Sequence, residues 1–218
     1  PEAFTWLGET YTKMCEIDGL DNIPKKGKCL IVLNHPMGPA DAVALYHSVS
    51  KVREDAFFFA NEIFVYLLGA FDNMMAPVVW DQKSQLHTAT KKTIERMRAF
   101  FSEERIGILF PSGRLSKFTL FGLKERAWQK TPLSIAERHD CLLVPVHIVG
   151  RNSWFFYFAS LINKQLRDVT QLNELLNKKN KKIKIVIGKP FSRNQLSEND
   201  ADAIKQLKKL SDSLKDNF

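Results

Sequence analysis

Four short apolar runs constrain this chain more than any other feature: residues 30–33, 106–110, 142–149 and 183–187. Each has the length of a strand and is dominated by Leu, Ile and Val, the composition of a strand inside a sheet. Stretches of helical periodicity separate them. The clearest, 88–104, puts Ile94, Met97 and Phe101 on one face. Strands that alternate with helices predict an α/β fold, a largely parallel central sheet with helices on both faces.

Two weaker strand candidates, 57–59 and 76–80, extend the sheet, and Pro77 suits the second only at a strand start or a sheet edge. An amphipathic helix is predicted over 1–18, where Phe4, Leu7, Tyr11 and Met14 recur at helical spacing. Further helices are predicted over 40–52, 63–71, 131–138, 172–177 and 201–214, with Thr131 as a cap and Pro132 at the first helical position. With no internal repeat and no long linker, the 218 residues are expected to form a single domain.

Composition narrows the function classes. Cys15, Cys29 and Cys141 are scattered and odd in number, which argues against a disulfide framework or a zinc site and fits a reducing compartment. A net charge of +8 favours an anionic partner: nucleic acid, a phospholipid surface or an acidic carrier protein. Part of that charge clusters in Lys178, Lys179, Lys181, Lys182 and Lys184, which reads as a solvated loop between a helix and a strand. No signal-peptide pattern is visible, and no run reaches the roughly 20 apolar residues of a transmembrane helix. Any contact with a membrane is therefore expected to be peripheral.

Chemistry-bearing residues gather in three turns that follow three of the strands. The first is Asn34-His35-Pro36-Met37-Gly38-Pro39-Ala40-Asp41, the second spans 110–116 and the third 150–153. In a doubly wound sheet such turns converge at one edge. They supply a base (His35), an orienting carboxylate (Asp41), backbone donors at Ser112 and Gly113, and cations at Arg114 and Arg151. That inventory suits transfer of an acyl or phosphoryl group to a hydroxyl.

The first turn resembles the His-Asp block of the glycerolipid and lysophospholipid acyltransferases. Phe110-Pro111-Ser112-Gly113 is similar to their Phe-Pro-Glu-Gly block and Val144-Pro145-Val146 to their final Val-Pro-Val block, in the same order, so the likeness covers about residues 20 to 190. Five residues separate His35 from Asp41 where the usual motif has four. With Gly150-Arg151-Asn152-Ser153, that longer spacing resembles the hemolysin-like branch, which includes lyso-ornithine-lipid acyltransferases. Ser112 stands in place of the usual Glu, and Asp81-Gln82 where the family often has Asp-Arg. Both positions are associated in that family with a glycerol-phosphate acceptor, and these departures argue against such an acceptor without naming another.

The resemblance further implies that His35 deprotonates a lysolipid hydroxyl, which attacks an acyl thioester with no covalent enzyme intermediate. Asp41 would hold the imidazole tautomer, backbone N–H groups near Gly113 would receive the oxyanion, and Ser112, Gly113, Arg114 and Arg151 would contact substrate. The implied donor is acyl-CoA or an acyl carrier protein, with no cofactor and no metal. The implied location is peripheral, on the cytoplasmic face of a membrane.

Blander roles stand beside these. Asp41 also suits a helix cap, Arg114 and Arg151 also suit solvated surface charges, and His47, His87, His139 and His147 carry no motif. The aromatic stretches 63–71 and 154–162 read first as core and second as membrane contacts. A lipid or thioester hydrolase is an alternative function, but no GxSxG elbow occurs. A basic nucleic-acid-binding module is another; it lacks a recognisable motif, and nucleic acid is not an expected partner.

Overall fold

Cys29–Leu33 is buried at every position, as a central strand with covered faces must be. Around it the computed structural model, which describes residues 15–61, 69–78, 86–119, 122–163, 170–171, 173–174 and 182–217, builds a seven-stranded sheet. Its order is β1 (Cys15–Asp18), β9 (Ile183–Ile187), β8 (Leu142–Val149), β2 (Cys29–Leu33), β5 (Ile106–Leu109), β3 (Ala56–Asn61) and β4 (Met75–Val78). Neighbours run parallel except β8 with β9. A separate antiparallel hairpin joins β6 (Lys117–Thr119) to β7 (Gly122–Lys124).

Successive side chains of a strand face opposite ways, and β2 shows what each face meets. Cys29, Ile31 and Leu33 pack with Val43, Ala44 and Leu45 of helix α1 (Pro39–Val49). Leu30 and Val32 join the opposite cluster. Its other members include Met97 and Phe101 of α2 (Leu86–Ser102), Leu133 and Ala136 of α3 (Thr131–His139), and Ala203 and Leu207 of α5 (Asp200–Ser213). Each such large side chain withdrawn from water contributes roughly 1.5–3 kcal/mol. The fold is the expected one: α/β, largely parallel, helices on both faces.

Several local expectations shift. Residues 15–18, expected to end an N-terminal helix, form β1 instead, parallel to β9. Their Cys-Glu-Ile-Asp order alternates between half-buried and exposed, which is strand periodicity, and the sheet edge at β9 outweighs the helical pattern upstream. Residues 1–14 lie outside the described residues, as do 63–68 of the 63–71 segment; Gly69–Met74 is a 3₁₀ turn. The strand expected at 76–80 is Met75–Val78, at the sheet edge where Pro77 is tolerated.

Helix α3 is preceded by Lys130 at the cap position, so Thr131 is its first residue and Pro132 its second. Of the helix expected at 172–177, residues 173 and 174 are helical and the others lie outside the described residues. Lys178, Lys179 and Lys181 also fall outside them, whereas Lys182 and Lys184 lie 3.4 and 3.5 Å from the Glu16 carboxylate. The aromatic stretch 154–162, read first as core and second as a membrane contact, is a helix, α4 (Trp154–Ile162), and it faces two ways: Phe156, Tyr157 and Ala159 are buried, but five large apolar side chains are exposed.

Candidate active site

Parallel pairing of β2 with both β5 and β8 sets the C-terminal ends of three adjacent strands side by side. The turns that leave them, expected to converge, are held together by named contacts. Ser116 N donates to His35 O at 2.9 Å, joining the turn after β5 to the turn after β2. Asn34 spans the other gap: its Nδ2 donates to Ile148 O and its Oδ1 accepts from Ile148 N, both at 2.8 Å. A side-chain amide thereby extends the β2–β8 ladder one step past the strand end, just before the histidine. Asn152 Nδ2 donates to Met37 O at 3.3 Å, drawing in the turn after β8.

His35 and Asp41 meet within this cluster. The imidazole Nδ1 lies 2.9 Å from Asp41 Oδ2, and its ring centroid lies 4.1 Å from that of Phe110. Asp41 is fully buried, whereas the His35 side chain keeps 19% of its surface exposed. An ionised carboxylate only accepts hydrogen bonds, so Nδ1 carries the proton and Nε2 keeps its lone pair. Nε2 makes no hydrogen bond among the described residues. Such a histidine can take a proton from a hydroxyl brought to Nε2.

Asp41 is also a cap. Its Oδ2 accepts from Met37 N at 2.9 Å and Gly38 N at 3.0 Å, while its own N–H donates to Gly38 O at 2.9 Å. One oxygen thus anchors the start of α1 and orients the imidazole, because Asp41 stands at the third position of α1, where acidic side chains reach back to the helix entry. The turn requires Gly38: its φ is 84° and a Cβ would come within 3.1 Å of the Leu115 side chain. Gly150 is needed for closeness instead, since a Cβ there would meet Met37 Sδ at 2.5 Å.

The structure adds residues that sequence reasoning missed. Glu125, just after β7, accepts from His35 N at 3.4 Å and from the Ser116 hydroxyl through the same oxygen, Oε2. The histidine backbone is therefore held on its N–H side by Glu125 and on its carbonyl side by Ser116. Glu174, itself buried, receives both the N–H and the hydroxyl of Ser153. Ser153 in turn caps α4 through Phe156 N, and Tyr157 OH accepts from Asn152 N at 3.0 Å. Ser116, Asn152 and Ser153 lie inside turns already legible in the sequence. Glu125 and Glu174 have no such signal, being single acids in polar stretches.

The remaining expected residues lie on the same turns without touching the imidazole. Ser112 is buried, with its hydroxyl donating to Arg114 O at 2.9 Å, and Gly113 N donates to Phe110 O at 2.9 Å. Arg114 and Arg151 are exposed on their respective turns. Asp81 and Gln82 fall outside the described residues.

Burial pushes the Cys29 and Cys141 thiols up to about 12 and Cys15 to about 11, so all three stay protonated and poorly nucleophilic near neutral pH. His139 and His147 have their pKa values lowered, chiefly by burial. Among the described residues no group of His, Cys, Asp or Glu is arranged to hold a metal ion.

Comparison with known proteins identifies the family. The family model described as Acyltransferase matches residues 15–149. A lyso-glycine lipid O-acyltransferase of Phocaeicola vulgatus is 32% identical over 185 residues, covering 81% of this chain and 63% of that protein. One of the same description from Bacteroides thetaiotaomicron is 28% identical over 206 residues, covering 85% of this chain and 71% of its own length. The chain thus spans about two thirds of the relatives it matches. Among solved structures, the fold is similar to that of the 1-acyl-sn-glycerophosphate acyltransferase PlsC from Thermotoga maritima. The TM-score is 0.61 at 16% identity, over 98% of this chain and 79% of that one.

Proposed function

This chain belongs to the glycerolipid and lysophospholipid acyltransferase family, and from that premise we propose that it moves a fatty acyl group from a thioester to a lysolipid hydroxyl. The observation that carries the reading is the 2.9 Å contact between His35 Nδ1 and the buried Asp41, with Nε2 open, where three catalytic turns meet.

In the proposed reaction His35 Nε2 takes the proton of the acceptor hydroxyl as its oxygen attacks the thioester carbonyl carbon. The C–S bond then breaks, and the leaving thiolate recovers the proton from the imidazolium. Asp41 stabilises that imidazolium and keeps Nδ1 protonated. Direct attack is favoured over a covalent enzyme intermediate because the thiols are buried and protonated and the Ser112 hydroxyl is turned onto Arg114 O. In this scheme Ser112, Gly113, Arg114 and Arg151 border the substrate, the two guanidinium groups meeting anionic parts of donor or acceptor.

The donor is proposed to be acyl-CoA or an acyl carrier protein, the latter suited to a chain of net charge +8. The two relatives' descriptions and the serine at position 112 favour an acceptor other than a glycerol phosphate, with a lyso-glycine lipid the first to try. No helix among the described residues is long and apolar enough to cross a membrane, and the proposed location is peripheral, on the cytoplasmic face.

An acyl-transfer assay with both donor classes and a panel of lysolipids, including lyso-glycine lipid and lysophosphatidic acid, tests the proposal. Ester-linked product from at least one lysolipid is expected. Thioester cleavage that proceeds equally without any acceptor identifies a hydrolase instead.

A further inference from the structure

We infer that α4 is a bilayer-inserting helix that seats the catalytic turns on a lipid leaflet, an inference that rests on the acceptor being a lipid. Its residues Trp154, Phe155, Phe158, Leu161 and Ile162 are 62–80% exposed, while Phe156, Tyr157 and Ala159 face the protein. At 100° per residue, positions 154, 155, 158, 161 and 162 form one continuous stripe. A helix on a water-facing surface carries polar residues along that stripe, yet 154–162 contains no Asp, Glu, Lys or Arg. With side chains of about 150–250 Å² each, the exposed apolar area is on the order of 600 Å², at the upper end of what a soluble monomer shows.

Three features select a bilayer as the occupant. Continuity with the site comes first: α4 is capped by Ser153, next to Asn152, whose side chain donates to Met37 O in the turn that carries His35 and Asp41. A lysolipid hydroxyl must reach His35 while its acyl chain stays in the leaflet, and a helix inserted beside that turn brings the leaflet to the histidine. Charge is the second, because a chain of +8 is drawn to an anionic leaflet whatever its apolar contacts. Composition is the third: a Trp with two Phe and two aliphatic side chains on a short helix suits the boundary between headgroups and acyl chains. The helix is also firmly mounted. The buried Glu174 carboxylate accepts from the Ser153 N–H and hydroxyl at its cap, and Tyr157 OH accepts from Asn152 N, which ties the helix to the turn after β8.

The test separates binding from catalysis. The whole chain is co-sedimented with vesicles of phosphatidylglycerol and phosphatidylethanolamine at low and high salt, beside Phe158→Gln and Leu161→Gln variants. Leu210→Gln, at an exposed leucine on α5, is the control. Part of the unchanged chain's binding is expected to persist at high salt. Each α4 substitution is expected to weaken that part about tenfold or more, with the control unaffected. Transfer to a short-chain lysolipid dispersed as monomers is expected to remain unchanged in both variants, because the stripe meets the leaflet and not the reacting groups. Failure of every acceptor would count against the proposed reaction but leave the binding result readable. Unaltered vesicle binding by both α4 variants would overturn the inference. So would loss of self-association in sedimentation equilibrium with vesicle binding intact, because the stripe would then be an interface between copies of the chain.

Discussion

Asp41→Asn is the sharpest perturbation of the site, because it keeps the shape of the side chain while removing its charge. Two quantities follow from the geometry. At 2.9 Å, the attraction between the Asp41 carboxylate and an imidazolium at His35 is roughly 6 kcal/mol at an effective dielectric constant of about 20. An asparagine dipole retains part of this. An amide oxygen in the place of Oδ2 still faces Met37 N, Gly38 N and Nδ1, but it brings no net charge to balance the imidazolium, and the NH₂ takes the place of Oδ1, which is buried with no hydrogen-bond partner. A loss of about 10²–10⁴-fold in kcat is expected, equivalent to about 3–5 kcal/mol of barrier.

Stability should respond quite differently. The asparagine oxygen still receives both backbone N–H groups at the entry of α1, and the cost is that of an amide NH₂ buried without an acceptor in the place of Oδ1, about 1–3 kcal/mol. Single-turnover acyl transfer beside a thermal melt measures both quantities. A folded Asp41→Asn variant with kcat within threefold of the unchanged chain would refute the reasoning, leaving Asp41 as a helix cap alone.

His35→Ala should leave the melt nearly unchanged and lower acyl transfer by roughly 10²–10⁴-fold, read in the same assay. Glu125→Ala should cost about 1–3 kcal/mol of stability and lower kcat as well, since the His35 N–H and the Ser116 hydroxyl both lose their acceptor; Glu125→Gln should restore most of each. Melts and kcat for the pair would sink this if the two variants behaved alike. Stability should fall as pH drops below about 6.5: His139 and His147 are held neutral in the fold, so the unfolded chain binds more protons there. Denaturant titrations from pH 7.5 to 5 check the slope, which His147→Gln should flatten.

Much of this protein was legible along the chain. The runs 142–149 and 183–187 match β8 and β9 residue for residue, because segments dominated by Leu, Ile and Val belong inside a sheet whatever they pair with; their polar members, His147 and Lys184, are half-buried. Parallel order then dictates that turns leaving neighbouring strands share an edge, so a histidine, an aspartate and two further motif turns could be assigned to one site before any contact was known. Other features depend on what lies across space. Residues 15–18 become a strand only because β9 offers an open edge, and the stripe of α4 faces outward only because the turn after β8 is tied to Met37 and Glu174. Glu125, an acid in a polar stretch, meets His35 only where the hairpin folds back over the turn after β2. Local pattern determines which segments seek burial or a turn; long-range hydrogen bonds and packing decide which partner each one finds.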